Sequence, residues 1–389
     1  RAPRQSDGRQ EPWHSSCGLS LVACRGGMPM LSAPETEGAL AKIPRPINRV
    51  VIVRATRLGD FMCAVPTLRA LRLALPNSEI TLIALPFAHD LVKRYPYLDR
   101  FEEFPGYPGM RETPFNALRT LTFLARQQRR NYDLAIQLHG SGVFSNPFTL
   151  MLGARVTVGF TRPEDRGLGL DHWVVYPDRG HEIDRVLLMA RLLGAPDAGS
   201  HLEFPLLDHD RTSALRLARA CKLDLSRPII GVHPGAKNPT RRWPAERFAA
   251  AALRLAEQIG AQIVVTGGPG EERECAAVQE IIGSRARSLN GQTSIGSLAA
   301  LLERMALFLT NDTGPAHIAY ALGVPSVTVF GAAEPDVWGP LDTVHHKPVF
   351  VPIDCRPCGL ATCRNGYRCL TEISLDQVVA AAEAALQAQ

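Results

Sequence analysis

The chain has 389 residues, of which 46% are hydrophobic and 21% charged, a balance that excludes a largely disordered chain, a coiled coil and a collagen-like fibre. A net charge of +5 suits acidic ligands such as phosphates or anionic lipid headgroups, and no zinc-finger, RNP-like or aromatic-interleaved basic motif adds a signal for nucleic acid. At about 150 residues per domain the length suggests two domains.

Residues 1–46 show no sustained periodicity and read as a disordered tail or a start-site artefact, with Met28 or Met30 a more natural start. Arg49–Arg54 is a short apolar run rich in β-branched residues, the pattern of a strand buried on both faces. Leu58-Gly59-Asp60 follows, and Val65, Leu68, Leu71 and Leu75 then recur at helical spacing up to Pro76-Asn77. Glu79–Leu85 and Tyr132–Leu138 read as further strands, and Phe115–Arg130 as a helix ending in cations that suit its dipole. The uncharged stretches Leu134–Ala154 and Thr313–Ala333 are long enough to span a bilayer, but Gly, Pro and His interrupt them. They read as strand, turn and helix.

The pattern restarts after Pro205–Asp210. A helix over Arg211–Cys221 leads to a new first strand, Ile229–His233, followed by a helix from Ala245 behind Pro244. Strands at Gln262–Thr266, Leu307–Thr310 and Val324–Phe330 alternate with helices at Glu271–Ile282, Ile295–Ala306 and Pro315–Leu322. Alternation of this kind predicts two α/β domains, 47–208 and 209–389, each a Rossmann-like parallel sheet covered by helices. The second includes a Cys-rich segment, 353–370, and a C-terminal helix. Ligands of such sheets lie beyond the carboxyl ends of the strands, which points to a cleft between the domains.

Three turns carry the candidate chemistry. Arg57-Leu-Gly-Asp60 puts a carboxylate at the end of the first strand, where it serves either as a helix cap or as a general base facing the cleft. On spacing alone the cap is the plainer reading. His233-Pro-Gly-Ala-Lys-Asn-Pro-Thr-Arg-Arg-Trp-Pro244 gathers Lys237, Arg241 and Arg242 near a helix entrance, a place suited to phosphate. Thr310-Asn-Asp-Thr-Gly-Pro-Ala-His317 offers backbone N–H groups at another helix start, with His317 in its first turn. Two anion-suited turns in one domain favour function over capping.

With these residues in view, the chain resembles the heptosyltransferases of bacterial lipopolysaccharide synthesis, glycosyltransferase family 9, from about Val50 to Ala385. The resemblance rests on Arg57-Leu-Gly-Asp60 with Pro66, on Pro234-Gly-Ala236 with Arg241-Arg-Trp-Pro244, and on Gly267-Gly-Pro-Gly-Glu271. Asn311-Asp-Thr-Gly-Pro-Ala-His317 and Phe330-Gly331 complete it in the same order and spacing. It implies a GT-B fold, two Rossmann-like domains facing a central cleft. It also implies inverting, metal-independent transfer of heptose from a nucleotide sugar, typically ADP-heptose, to an acidic lipid-linked glycan, with no cofactor and no nucleic acid. Asp60 is then the expected catalytic base, with Arg57 and Gly59 on the acceptor side. Gly235, Ala236, Lys237, Arg241, Arg242, Asp312, Thr313, Gly314 and His317 line the donor site, and Glu271 contacts the nucleoside. Gly235-Ala236 stands where some members carry Thr-Thr, leaving backbone N–H groups to hold phosphate. The implied location is cytoplasmic, with peripheral contact at the inner face of the membrane. A GT-B transferase with another donor or a protein acceptor, or a non-catalytic nucleotide-sugar-binding protein, fits the same motifs.

A basic first domain (Arg54, Arg57, Arg69, Arg72, Lys93 and Arg94) suits an acidic acceptor, although solvated helix faces explain any one of these residues as well. Cys355, Cys358, Cys363 and Cys369 lie close enough in sequence for a structural zinc site, two disulfides or reduced thiols. The other five cysteines are scattered, as in a protein with reduced thiols.

Overall fold

A computed structural model of the chain describes residues 38–388, so most of the expected tail lies outside the described residues. Its last part does not behave as a tail. Ala39–Lys42 forms one helical turn that buries Ala39 and Leu40, with Ile43 buried just beyond it. Gly38 sits so close to Gly194 that a Cβ on Gly38 would lie 2.3 Å from the Gly194 Cα, so the two backbones meet only because neither carries a side chain. Three apolar residues within five positions suffice to dock the segment, too few to register as a periodic pattern.

Strands β1 (Arg49–Val53), β2 (Glu79–Ala84), β3 (Arg100–Glu103), β4 (Leu134–Gln137), β5 (Val156–Thr161) and β6 (His172–Val175) form one parallel sheet in the order β3-β2-β1-β4-β5-β6. Strands β7 (Ile229–His233), β8 (Gln262–Val265), β9 (Ala286–Ser288), β10 (Leu307–Asn311), β11 (Ser326–Val329) and β12 (His346–Val349) repeat that order in a second parallel sheet, β9-β8-β7-β10-β11-β12. Both are doubly wound Rossmann orders whose direction reverses beside the first strand. The architecture is GT-B.

The central strands β1, β4, β7 and β10 are the ones the apolar runs announce. Strands β3, β5, β6, β9 and β12 do not announce themselves: β3, β6 and β12 keep polar, half-exposed residues at sheet edges, with Lys347 and Pro348 in β12, β9 has only three residues, and the buried β5 interrupts its apolar run with Thr157 and Gly159. The first sheet packs one face on the helices Leu58–Ala74 and Glu182–Leu193, and that core runs on through Leu298, Leu302, Ile318 and Ala319 into the second sheet's helices. The stretch Pro205–Asp210, where the sequence pattern breaks, is pinned in place. Arg94 donates to Asp210 Oδ2 at 2.5 Å with both side chains 1% exposed, and the Leu207 N–H donates to the same carboxylate at 2.9 Å.

Most of the basic residues offered for the acceptor do other work. Arg54 binds Glu182, Arg69 binds Glu203, Arg72 binds Asp99, and Arg94 holds both Asp90 and Asp210. Each guanidinium joins segments distant in sequence, which no local pattern reveals. Arg57 and Lys93 remain exposed.

Candidate active site

The two reversal points face each other. From the first sheet comes the turn after β1, ending in the helix Leu58–Ala74; from the second come the turns after β7 and β10, the latter opening the helix Gly314–Leu322. The two helix starts interlock. A Cβ on Gly59 would lie 2.9 Å from His317 Cδ2, and a Cβ on Gly314 would lie 2.8 Å from Leu58 Cβ. Glycine at both positions is what lets the two lobes meet here.

Asp60 is the third residue of its helix, and Arg57 occupies the cap position without a side-chain cap bond. A helix start by itself lowers a carboxyl's pKa, but this one is raised above the ordinary 3.8: burial outweighs the opposing Arg54 charge, and Glu182 adds to the rise. The magnitudes explain the reversal, since a helix start contributes about 0.3–1 kcal/mol whereas burial moves a carboxyl by up to about 3–5 pH units. Behind it lies a network with no signature in the sequence. Buried Arg54 donates through Nε to the Asp60 carbonyl at 3.0 Å and through Nη2 to Glu182 Oε1 at 3.3 Å, and the Tyr176 hydroxyl donates to Glu182 Oε2 at 2.5 Å. Nearby, Thr56 Oγ1 and His139 Nδ1 are buried without a hydrogen-bond partner, and His139 is lowered to about 4 by burial and by Arg54.

Across the cleft, Arg241 Nη1 donates to Asp312 Oδ2 at 2.8 Å. Asp312 is pushed up to about 6 by burial, against the pull of Arg241 and with a push from Asp60. That last influence places the two carboxylates within electrostatic reach of each other. Buried Asn311 stitches the two donor turns together: its Nδ2 donates to the Pro234 carbonyl at 2.8 Å and its Oδ1 accepts from the Trp243 N–H at 3.0 Å. His317 is lowered to about 3 by burial, by His181 and by Arg241, so it stays neutral near pH 7. At the start of its helix Pro315 has no N–H and the Ala316 N–H bonds the Thr313 carbonyl at 3.1 Å, which leaves the N–H groups of Thr313 and Gly314 at the helix entrance, where an anion is favoured.

The remaining expected donor residues divide. Ala236 is buried and Lys237 exposed. Arg242 is engaged within the loop, donating to the Ala236 carbonyl at 2.7 Å and to Glu274 Oε1 at 2.5 Å, so it shapes the turn that presents Arg241. Glu271 accepts from the Gly268 N–H at 2.7 Å and lies 3.2 Å from His233 Nε2. Burial raises its pKa, but the His233 hydrogen bond and charge together bring it below the ordinary range. A Cβ on Gly235 would strike the Glu271 carboxyl at 2.2 Å, so Glu271 closes directly beneath the loop.

Cys355, Cys358, Cys363 and Cys369 are free thiols, and among the described residues no group of three or more His, Cys, Asp or Glu is placed to hold a metal. Their segment serves the donor turn, because the Leu360 carbonyl accepts from Thr240 Oγ1 at 2.8 Å and the Cys358 N–H bonds the Ala332 carbonyl at 2.9 Å.

Two six-stranded Rossmann sheets whose reversal points face each other are the GT-B fold of glycosyltransferases. Residues 122–367 match the profile of glycosyltransferase family 9 (heptosyltransferase), and the chain belongs to that family. It is 26% identical over 307 residues to lipopolysaccharide heptosyltransferase 2 of Salmonella typhimurium, covering 75% of this chain and 85% of that protein. Among solved structures it superposes on a glycosyltransferase family 9 protein of Veillonella parvula with a TM-score of 0.77 at 25% identity, covering 89% of this chain and 99% of that one. Heptosyltransferase II of Escherichia coli gives a TM-score of 0.69 at 22% identity, over 87% and 98% of the two chains. Among the described residues no helix is long and apolar enough to cross a membrane.

Proposed function

We propose that the chain transfers a heptose from ADP-heptose to a sugar of the lipopolysaccharide core, with inversion and without a metal. The observation that carries this reading is Asp60, a carboxyl held above its ordinary pKa opposite the Arg241 turn and the start of the helix Gly314–Leu322. Asp60 removes the proton from an acceptor hydroxyl as that oxygen attacks the anomeric carbon. The bond from that carbon to the diphosphate breaks on the opposite face, and ADP departs with the bonding pair. Arg241 and the N–H groups at residues 313 and 314 take up the charge that develops on the leaving phosphate, the task a divalent cation performs in other enzymes. One base on the acceptor side suffices, because inversion needs no covalent sugar intermediate.

Arg241 is held by Asp312 in the structure described. A diphosphate competes for that guanidinium, and Asp312, pushed up to about 6, takes a proton easily when Arg241 turns away. The heptosyltransferase activity in the relatives' names and the shared fold support the sugar and the acceptor class. The test is a donor panel: ADP-heptose against UDP- and GDP-sugars, with core oligosaccharides as acceptors. Turnover with ADP-heptose alone is the expected result. Turnover with another nucleotide sugar, or donor binding without any transfer, overturns the reading.

A further inference from the structure

Glu182 has no place in the transfer chemistry, yet its side chain is only 4% exposed, beside that of Arg54 at 2%. A carboxylate buried this deeply is kept only among partners that answer its charge. Arg54 lies 3.3 Å from Oε1, Arg185 lies 3.8 Å from Oε2, and the Tyr176 hydroxyl donates to Oε2 at 2.5 Å. Glu182 also opens its helix, and the residue before it fixes that helix start from two sides. His181 Nδ1 accepts from the Ile183 N–H at 3.2 Å, and its Nε2 donates to the Gly339 carbonyl of the second lobe at 2.8 Å. The carboxylate is thus held in one place behind Asp60.

Arg54 links Glu182 to Asp60. Its Nη1 donates to the Leu138 carbonyl at 2.5 Å, and its Nε and Nη2 donate to the Asp60 carbonyl. Among the described residues none of its hydrogen bonds reaches the Asp60 carboxyl, and Glu182 is its one carboxylate partner. The guanidinium therefore sets where the Asp60 main chain lies, while its charge, if unanswered, would draw the carboxyl of the same residue into an ion pair. The charges that act on Asp60 come from both lobes. Arg54 and Arg241 lower its pKa, Glu182 raises it, and Asp312 feels it across the cleft. Two further groups close by carry no charge near pH 7: His139, lowered to about 4 by burial and by Arg54, and Cys63, raised by burial, by Glu182 and by Asp60. On the first lobe, Glu182 is the negative charge placed to offset Arg54.

We propose that Glu182 is a positioning residue of the transfer reaction: it engages Arg54 from the side away from the cleft, so that this arginine orients the Asp60 main chain and leaves the Asp60 carboxyl unpaired to act as a base. The proposal rests on the reading of Asp60 as the base. Its test is the pH dependence of kcat in two variants of the full chain, Glu182→Gln and Glu182→Asp. Glutamine keeps the size of the side chain and an acceptor oxygen for Arg54, and loses only the charge. Its kcat should fall roughly tenfold, because a weaker base takes the proton less readily, and its acid limb should move to lower pH, because the influence that raised the Asp60 carboxyl is gone. Aspartate keeps the charge but draws it back by one methylene, so both effects should be smaller and in the same direction. Should the glutamine variant fail to fold, the aspartate variant still reads the sign. Acceptor KM and ADP affinity should stay near wild type in both, since Glu182 is too deeply buried to touch either ligand. A lower kcat with the acid limb unmoved would make Glu182 a structural residue and overturn the proposal, as would wild-type kinetics in both variants. A fully active Asp60→Asn protein would instead remove the reading of Asp60 on which the proposal rests, so the two fail separately.

Discussion

Substitution of Asp60, the proposed base, distinguishes a catalytic carboxylate from a structural one. Asparagine keeps the shape and the acceptor oxygen of the side chain, so Asp60→Asn should leave thermal stability near wild type, while loss of the proposed base should lower turnover about a hundred- to ten-thousand-fold. ADP affinity should hold, because the donor cradle belongs to the other lobe. The pH profile carries a second check. Asp60 accepts a proton only when ionised, so turnover falls as pH drops through its folded pKa, which burial has raised above 3.8. The acid limb of kcat should therefore lie above the ordinary carboxylate range; a limb at the ordinary value would contradict the burial described. Arg241 and Arg242 make a matched pair of tests. Arg241→Ala should raise the ADP dissociation constant by roughly tenfold or more, the worth of a charge-assisted hydrogen bond to phosphate. Arg242→Ala should act less, because that side chain binds the Ala236 carbonyl and Glu274 within the loop. Titration of ADP into each variant distinguishes them, and an Arg242 effect equal to that of Arg241 would reassign the phosphate contact.

At the scale of elements, the site is a meeting of two helix starts. Gly59→Ala would ordinarily favour a helix by about 0.5–1 kcal/mol, yet here the new methyl would sit 2.9 Å from the His317 ring. The ring is buried and lies 3.9 Å from Cys63 Sγ, so it has little room to retreat. The expected outcome is a melting temperature at or below wild type and a fall in kcat, as the lobes are pried apart where the reaction occurs. A more stable, fully active Gly59→Ala protein would show that the contact does not matter. The donor turns depend in the same way on Asn311 and on the Cys-rich segment, which hold them at carbonyls rather than by side-chain charge.

For the whole molecule, one core passes from the first sheet to the helices of the second, and the buried Arg94–Asp210 pair locks the passage. Asp210→Ala leaves a buried guanidinium with one carboxylate fewer, at a cost of about 3–5 kcal/mol. Urea unfolding should show that loss in a single transition for both lobes. Two separated transitions in the wild type would mean that the lobes fold independently. The sequence by itself determined the alternation of strands and helices, the two Rossmann-like units and the three turns proposed for the chemistry, because buried parallel strands and helix starts leave local patterns of hydrophobicity and of Gly, Asp, Thr and Pro. It missed β3, β6 and β12, whose half-exposed residues carry no such pattern, the three-residue β9, and β5, which is buried throughout but breaks its apolar run with Thr157 and Gly159. It also misjudged the basic residues of the first lobe and held no sign of the raised pKa of Asp60. Only the tertiary structure decided those, since an arginine's partner and a carboxyl's burial depend on residues more than a hundred positions away, as Glu182 is from Arg54 and Asp312 from Asp60. Nearness of that kind is a property of packing, and no spacing along the chain encodes it.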